Sequence, residues 1–229
     1  MDFIQEGFRQ AVTLLINLDP ATYSAINTTL RASGLAMAAS LVLGIPLGYL
    51  LGYFDFRLKK QLRIIVDTLL SLPTVFIGLV IYALLTRNGP FGEMGLIFSI
   101  PGIAIGQTIL ALPIVIALTA TAVEAADRNL RITLMSLGAN RRQIAASTLW
   151  EVRLGIFAAA VTATGRVLTE VGISLMVGGN IKWHTRTITT AIALETSKGE
   201  FGMGIALGLV LLLIALTVNV SLAGLRRRI

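Results

Sequence analysis

The sequence predicts an all-α fold: a polytopic membrane helix bundle of five transmembrane helices, with an N-terminal amphipathic helix lying along the interface. Three observations carry this. Hydrophobic residues make up 55% of the 229 and charged residues only 14%, where soluble domains average about 25% charged. Five long stretches are almost free of ionisable groups: 32–54, 94–123 and 201–225 have none beyond Tyr, 64–86 has only Asp67, and 154–181 has only Arg166 and Glu170. Each exceeds the roughly 20 apolar residues that cross about 30 Å of hydrocarbon. The Lys and Arg residues, finally, collect in alternate loops. With no Cys in the chain, disulfide scaffolds, thiolate metal sites and cysteine nucleophiles are excluded.

The elements follow in order. In 2–18, Ile4, Phe8, Ala11, Val12, Leu15 and Leu18 share one helical face, with Asp2, Glu6, Arg9 and Gln10 elsewhere. The segment is short and polar for a span and lacks a signal peptide's basic start. It predicts an interfacial helix ending at Asp19-Pro20, a sixth span being the alternative. The first span, near 24–54, carries Gly44, Gly48 and Gly52. Small residues four apart let helix backbones approach, and Gly102/Gly106 and Gly204/Gly208 repeat the spacing. The second span, near 62–86, contains Pro73. The third, near 101–124, begins at Pro101 and contains Pro113. Pro46, Pro73 and Pro113 should each free a carbonyl and allow a bend, tolerated where protein or water covers the freed group.

Residues 127–150 are the longest polar segment and read as two short helices. Leu130, Leu134 and Leu137 share a face of the first, Gly138 permits a left-handed break, and Asn140 can cap the next helix before Arg141-Arg142. A stiff helix-turn-helix leaving a membrane bundle suits docking to a soluble partner. The fourth span, near 152–176, holds Arg166 and Glu170, four apart and able to pair. A charge at the membrane centre costs about 2.5–3.5 kcal/mol on insertion scales. The pair is therefore either self-neutralising inside the bundle or turned to a water-filled path. Thr162, Thr169 and Gly172 lie near the same face. Asp67, near one end of its span, reads as a snorkelling structural residue. Residues 182–200 read as a loop with a lone surface His184. The fifth span is near 203–225.

Orientation comes from the cations. Arg57, Lys59, Lys60, Arg63, Arg128, Arg131, Arg141, Arg142, Arg153, Arg226, Arg227 and Arg228 fall on one side, twelve against the six of Arg9, Arg31, Arg87, Lys182, Arg186 and Lys198. The twelve belong in the cytoplasm, which puts the N-terminus outside and the C-terminus inside. The net charge of +7 then records topology and favours anionic lipid headgroups; nucleic acid is not implied. No GxxxxGK[ST], GxSxG or HExxH occurs, so the residues offer no phosphate loop, catalytic group or metal cluster. Uphill movement of a solute would draw on another subunit or an ion gradient.

"MSLGANRRQIAASTLW" resembles the coupling loop of importer-type ABC transporter permeases. Gly138 matches that family's loop glycine. Ile132-Thr133-Leu134 occupies the slot of the family's Glu-Ala-Ala triplet, the literal Glu124-Ala125-Ala126 lies eight residues too early, and Trp150-Glu151 replaces the usual Leu-Pro. "SLPTVFIGLVIYALL", "TLWEVR" and "EVGISLMVGGN" are most similar to the tungstate branch of the molybdate/tungstate/sulfate group. The resemblance implies one permease domain over 1–229, a multi-pass protein of the cell membrane, and a homodimer with its pathway at the twofold axis. It implies a separate ATPase dimer holding ATP and Mg, with no cofactor in this chain, and an extracytoplasmic oxyanion-binding protein. Ser136, Leu137, Gly138, Ala139, Asn140, Arg141 and Arg142 would enter the ATPase groove. Ser71, Thr74, Thr162, Arg166, Thr169, Glu170 and Gly172 are the candidates for the path. Tungstate is the implied cargo. Molybdate, another oxyanion, or gradient-driven secondary transport are the alternatives.

Overall fold

The computed structural model describes residues 2–126 and 128–226. Asp127, where the expected polar segment begins, lies outside them, as do Arg227 and Arg228. Among the described residues every regular element is a helix. α1 (Asp2–Ile16) and α2 (Pro20–Tyr53) are joined by a turn in which the Asp19 carboxylate accepts from the Thr22 N–H at 2.7 Å. At 34 residues α2 is about 51 Å long, more than a bilayer's hydrocarbon needs. Then come α3 (Lys59–Leu70), α4 (Thr74–Leu85), α5 (Ile100–Glu124), α6 (Arg128–Ser136), α7 (Arg141–Glu151), α8 (Arg153–Leu168), α9 (Gly172–Gly178), α10 (Ile188–Ser197) and α11 (Phe201–Arg226).

Three helices, α2, α5 and α11, are individually long and apolar enough to cross a membrane, and up to five crossings result if each of two bent pairs is one span. The expected second span is not one rod. It breaks at Ser71–Pro73, where α3 and α4 meet at 97°, because Pro73 has no N–H to continue the ladder. The helices run on through Pro46 and Pro113. The expected fourth span, 152–176, also needs correction. Its helix stops at Leu168 and a new one begins at Gly172, while at Val152 it turns by 63° from α7. The segment 182–200 is not merely a loop, since half of it is α10, with Ile188, Thr189, Thr190 and Ala191 buried.

α5 is the central helix. Of its most apolar stretch 61% is buried, against 22% for α11. The double glycine run of α2 faces it: a Cβ at Gly44 would stand 2.8 Å from Val115, one at Gly48 2.7 Å from Thr119, and one at Gly52 2.6 Å from the Ala120 carbonyl. Any larger residue would push the two backbones apart, so these glycines set the interhelix distance. Ala36 and Met37 of α2, Ala104, Ala111 and Val115 of α5, and Ala163 and Val167 of α8 complete this seam. α4 and α9 pack through Ile77, Ile81, Ile173 and Val177. α1 does not lie alone. It packs across α11, with Ala11 buried and Gly7 against Ile205, while Ile4, Phe8 and Ile16 stay exposed. Leu212, Leu216 and Val220 of α11 are also exposed apolar groups, as expected of a lipid-facing surface.

Candidate functional site

Two places gather the residues singled out above. The first is the turn between α6 and α7. Gly138 has φ +78°, and a Cβ there would meet open space, so the glycine is required by backbone conformation and not by crowding. Its N–H donates to Met135 O and the Ala139 N–H to Leu134 O, both at 3.0 Å. This pair of bonds closes a helix through a left-handed residue. The Asn140 side chain then accepts from the Gln143 N–H at 2.9 Å, and the Gln143 side chain accepts from the Asn140 N–H at 2.8 Å, a reciprocal cap on α7. The turn is held by its own backbone and by the Asn140 and Gln143 side chains, and needs nothing from the bundle.

Leu137 is 78% exposed, and Ile132 and Met135 are exposed beside it. The helix face expected to unite Leu130, Leu134 and Leu137 is therefore not a buried one at Leu137, whereas Leu134 is half-buried; the side chain of Leu130 lies outside the described set. α7 anchors the unit. Ile144 and Thr148 are buried, and Ala145 and Leu149 pack on the ends of α2, α5 and α8 around Tyr49, Val123 and Val152. An exposed apolar tip on a rigid, anchored stem can transmit a push from a soluble partner to α2, α5 and α8.

The second place is an open cavity of about 510 Å³ against α8, lined by Thr162, Gly165, Arg166 and Thr169 together with Leu70, Ile114, Ala117 and Leu118. Residues 162, 166 and 169 fall on one helical face. The structure thus brings three of the seven expected path residues together. Ser71 is exposed at the end of α3, and Thr74 meets Gly172, where a Cβ would stand 3.2 Å from the Thr74 hydroxyl. Neither these three nor Glu170 lines this cavity.

Glu170 is 2% exposed. Its carboxylate accepts from the Ile173 N–H at 3.0 Å and from Arg166 Nη1 at 3.5 Å, so it closes the first turn of α9 while pairing with α8. The Thr169 hydroxyl donates back to Gly165 O at 3.0 Å. These bonds supply what the helix ladder loses between Leu168 and Gly172.

Sequence reasoning missed two groups. Behind Glu170, the Thr189 hydroxyl donates to Glu170 O at 2.8 Å, Thr187 and Thr189 hydroxyls are 2.9 Å apart, and the Ile188 N–H donates to Thr29 Oγ1 of α2 at 3.0 Å. Thr185, Thr187, Thr189 and Thr190 are all buried; their clustering in "HTRTITT" was the available signal. At the loop end, Glu124 takes Lys59 and Arg63, each at 3.3 Å, and Arg63 reaches Asp67 at 3.9 Å and Thr121 at 2.6 Å. Glu124 and Thr121 thus tie α5 to α3, while Asp67 orients Arg63 within α3. His184 is exposed, and no group of three or more His, Cys, Asp or Glu able to hold a metal occurs among the described residues.

Residues 44–229 match the family described as binding-protein-dependent transport system inner membrane component. The tungstate uptake system permease protein TupB of Campylobacter jejuni is 47% identical over 219 residues, covering 96% of this chain and 92% of that protein. TupB of Peptoclostridium acidaminophilum is 38% identical over 219 residues, covering 96% of each chain. Among solved structures, the MetNI methionine ABC transporter in an inward-facing conformation superposes with a TM-score of 0.73 at 18% identity, over 92% of this chain and 98% of that one. At that identity the likeness concerns the fold.

Proposed function

The chain belongs to the family of binding-protein-dependent transport system inner membrane components, and from that premise we propose that it is the membrane-spanning permease subunit of an ATP-driven importer whose cargo is tungstate. The observation that carries the cargo is the 47% identity to a tungstate uptake permease across 96% of the chain. Members of this family are multi-pass membrane proteins, consistent with the apolar helices found here.

In this reading the exposed turn Ser136, Leu137, Gly138, Ala139, Asn140, Arg141 and Arg142 enters a groove on a separate ATPase subunit. That subunit binds ATP and Mg and closes as a dimer over them. A stem anchored at Tyr49, Val123 and Val152 carries the movement into α2, α5 and α8, and the bundle switches access between its two sides. The capped, self-contained turn supports this, because a lever must not unfold when pushed. Two copies of the chain enclose the path, with the α8 cavity facing it, and an extracytoplasmic binding protein delivers the oxyanion. The N-terminus is outside and the C-terminus in the cytoplasm.

Uptake of labelled tungstate in cells with and without this chain tests the proposal. Loss of ATP-dependent uptake in its absence is expected, with competing molybdate reporting the specificity. Equal ATP-dependent uptake in both strains would sink the assignment.

A further inference from the structure

The Arg166–Glu170 pair is asymmetric. The Glu170 side chain is 1% exposed and the Arg166 side chain 44%. The carboxylate is fixed by the Ile173 N–H at 3.0 Å, and its residue's carbonyl by the Thr189 hydroxyl at 2.8 Å. Arg166 lines the α8 cavity and Glu170 does not. One guanidinium nitrogen, Nη1, reaches back to Glu170 at 3.5 Å. The other guanidinium donors have no partner among the described residues. Thr162, one turn away on the same face, likewise has a hydroxyl without one, and at Gly165 between them an added Cβ would meet open space. The cavity therefore presents a guanidinium fork and a hydroxyl beside vacant volume, and no carboxylate.

A self-neutralising pair needs neither member turned toward a cavity, since each ion exposed or buried there carries its own solvation cost. Here the anion is hidden and the cation is offered. A planar fork of N–H donors matches the oxygens of a tetrahedral oxyanion. We propose that Arg166 is an oxyanion-contacting residue of the cavity and that Glu170 is its positioning residue, held back from the anion by α9 and α10. This rests on the oxyanion-importer reading. A single guanidinium, already shared with Glu170, holds an anion weakly enough to release it, as conduction through a transport path requires.

The test uses the assembled transporter in proteoliposomes, with labelled tungstate uptake compared at equal amounts of assembled complex. The variants are R166Q, R166K and the doubly neutral R166Q/E170Q. Uptake in R166Q should fall about tenfold, the scale of one lost charge-assisted contact. R166K, which keeps the charge but not the fork, should retain an intermediate rate. The double variant removes the buried unpaired carboxylate along with the cation, so a merely structural pair would be rescued by it. The proposal predicts that it stays as low as R166Q. Wild-type uptake by R166Q or by the double variant overturns the proposal and leaves the importer reading intact. A wild-type complex that accumulates none of tungstate, molybdate or sulfate overturns the oxyanion reading and this proposal with it.

Discussion

The helix-ending turns at Gly138 and at Glu170 both lie beside charged residues, and they are built differently. The turn at Gly138 is exposed and closes on itself: every bond that holds it spans no more than five residues, from the Leu134 carbonyl to the Gln143 side chain. The turn at Glu170 is buried and adds distant partners to local ones. Its carboxylate is met locally by Arg166 and Ile173, but its carbonyl takes the Thr189 hydroxyl, 19 residues on, from a helix whose start is anchored to Thr29, 159 residues from Ile188. A turn meant to meet a partner must be stiff without help. A turn in the membrane must satisfy every polar group it exposes, and the nearest donors there belong to other helices.

Substitutions can break this contrast. The largest effect is expected for Glu170→Ala, which leaves the Ile173 N–H without its acceptor and Arg166 without its counter-ion. Removing one member of a buried pair costs about 3–5 kcal/mol. The half-exposed guanidinium can be partly hydrated, so a loss near the lower bound, about 3 kcal/mol, should appear as a clear drop in the melting temperature of the detergent-solubilised protein. An unchanged melting temperature would mean that the α8–α9 junction does not depend on this carboxylate.

A smaller effect is expected for Gly138→Ala. The added methyl has room, but its backbone would be held at φ +78°, a conformation costing roughly 1–2 kcal/mol for an L side chain. The cost should fall on the turn and not on the bundle. Hydrogen exchange should speed up in 134–140 with little change in global melting. Asn140→Ala should cost least, about 1 kcal/mol for a lost helix cap, visible as faster exchange at 141–144 alone. Global destabilisation by either substitution would show that the turn is not self-contained.

The same contrast explains what could be read from the amino acids. Gly138, Asn140 and Gln143 act within a few residues, so local rules predict the helix-turn-helix. Pro73 forbids a ladder bond and predicts its break, and the glycine run of α2 predicts a close helix neighbour. The break at Thr169–Val171 contains no proline and no positive-φ residue; it is held by the Glu170 carboxylate on the Ile173 N–H and by the distant Thr189 hydroxyl on the Glu170 carbonyl. The helix α10 was hidden for a similar reason. The charges in and around it, Lys182, Arg186, Glu195, Lys198 and Glu200, read as a loop, while its start is held by the Ile188 N–H on Thr29 of α2 and the Thr189 hydroxyl on Glu170 O. Arg166, Thr162 and Thr169 were legible as one helical face. That Glu170 would turn away from that face was not, since spacing alone does not say which member of an ion pair the bundle covers.

The central claim is that this chain moves an oxyanion only as part of an ATP-driven assembly. The direct measurement is tungstate accumulation in proteoliposomes containing either the purified chain alone or the chain with its ATPase and binding protein, with ATP or a non-hydrolysable analogue. Accumulation confined to the complete assembly with hydrolysable ATP is the predicted result. Sustained tungstate flux through the chain alone, driven by an imposed ion gradient, would contradict the account and identify a secondary transporter instead.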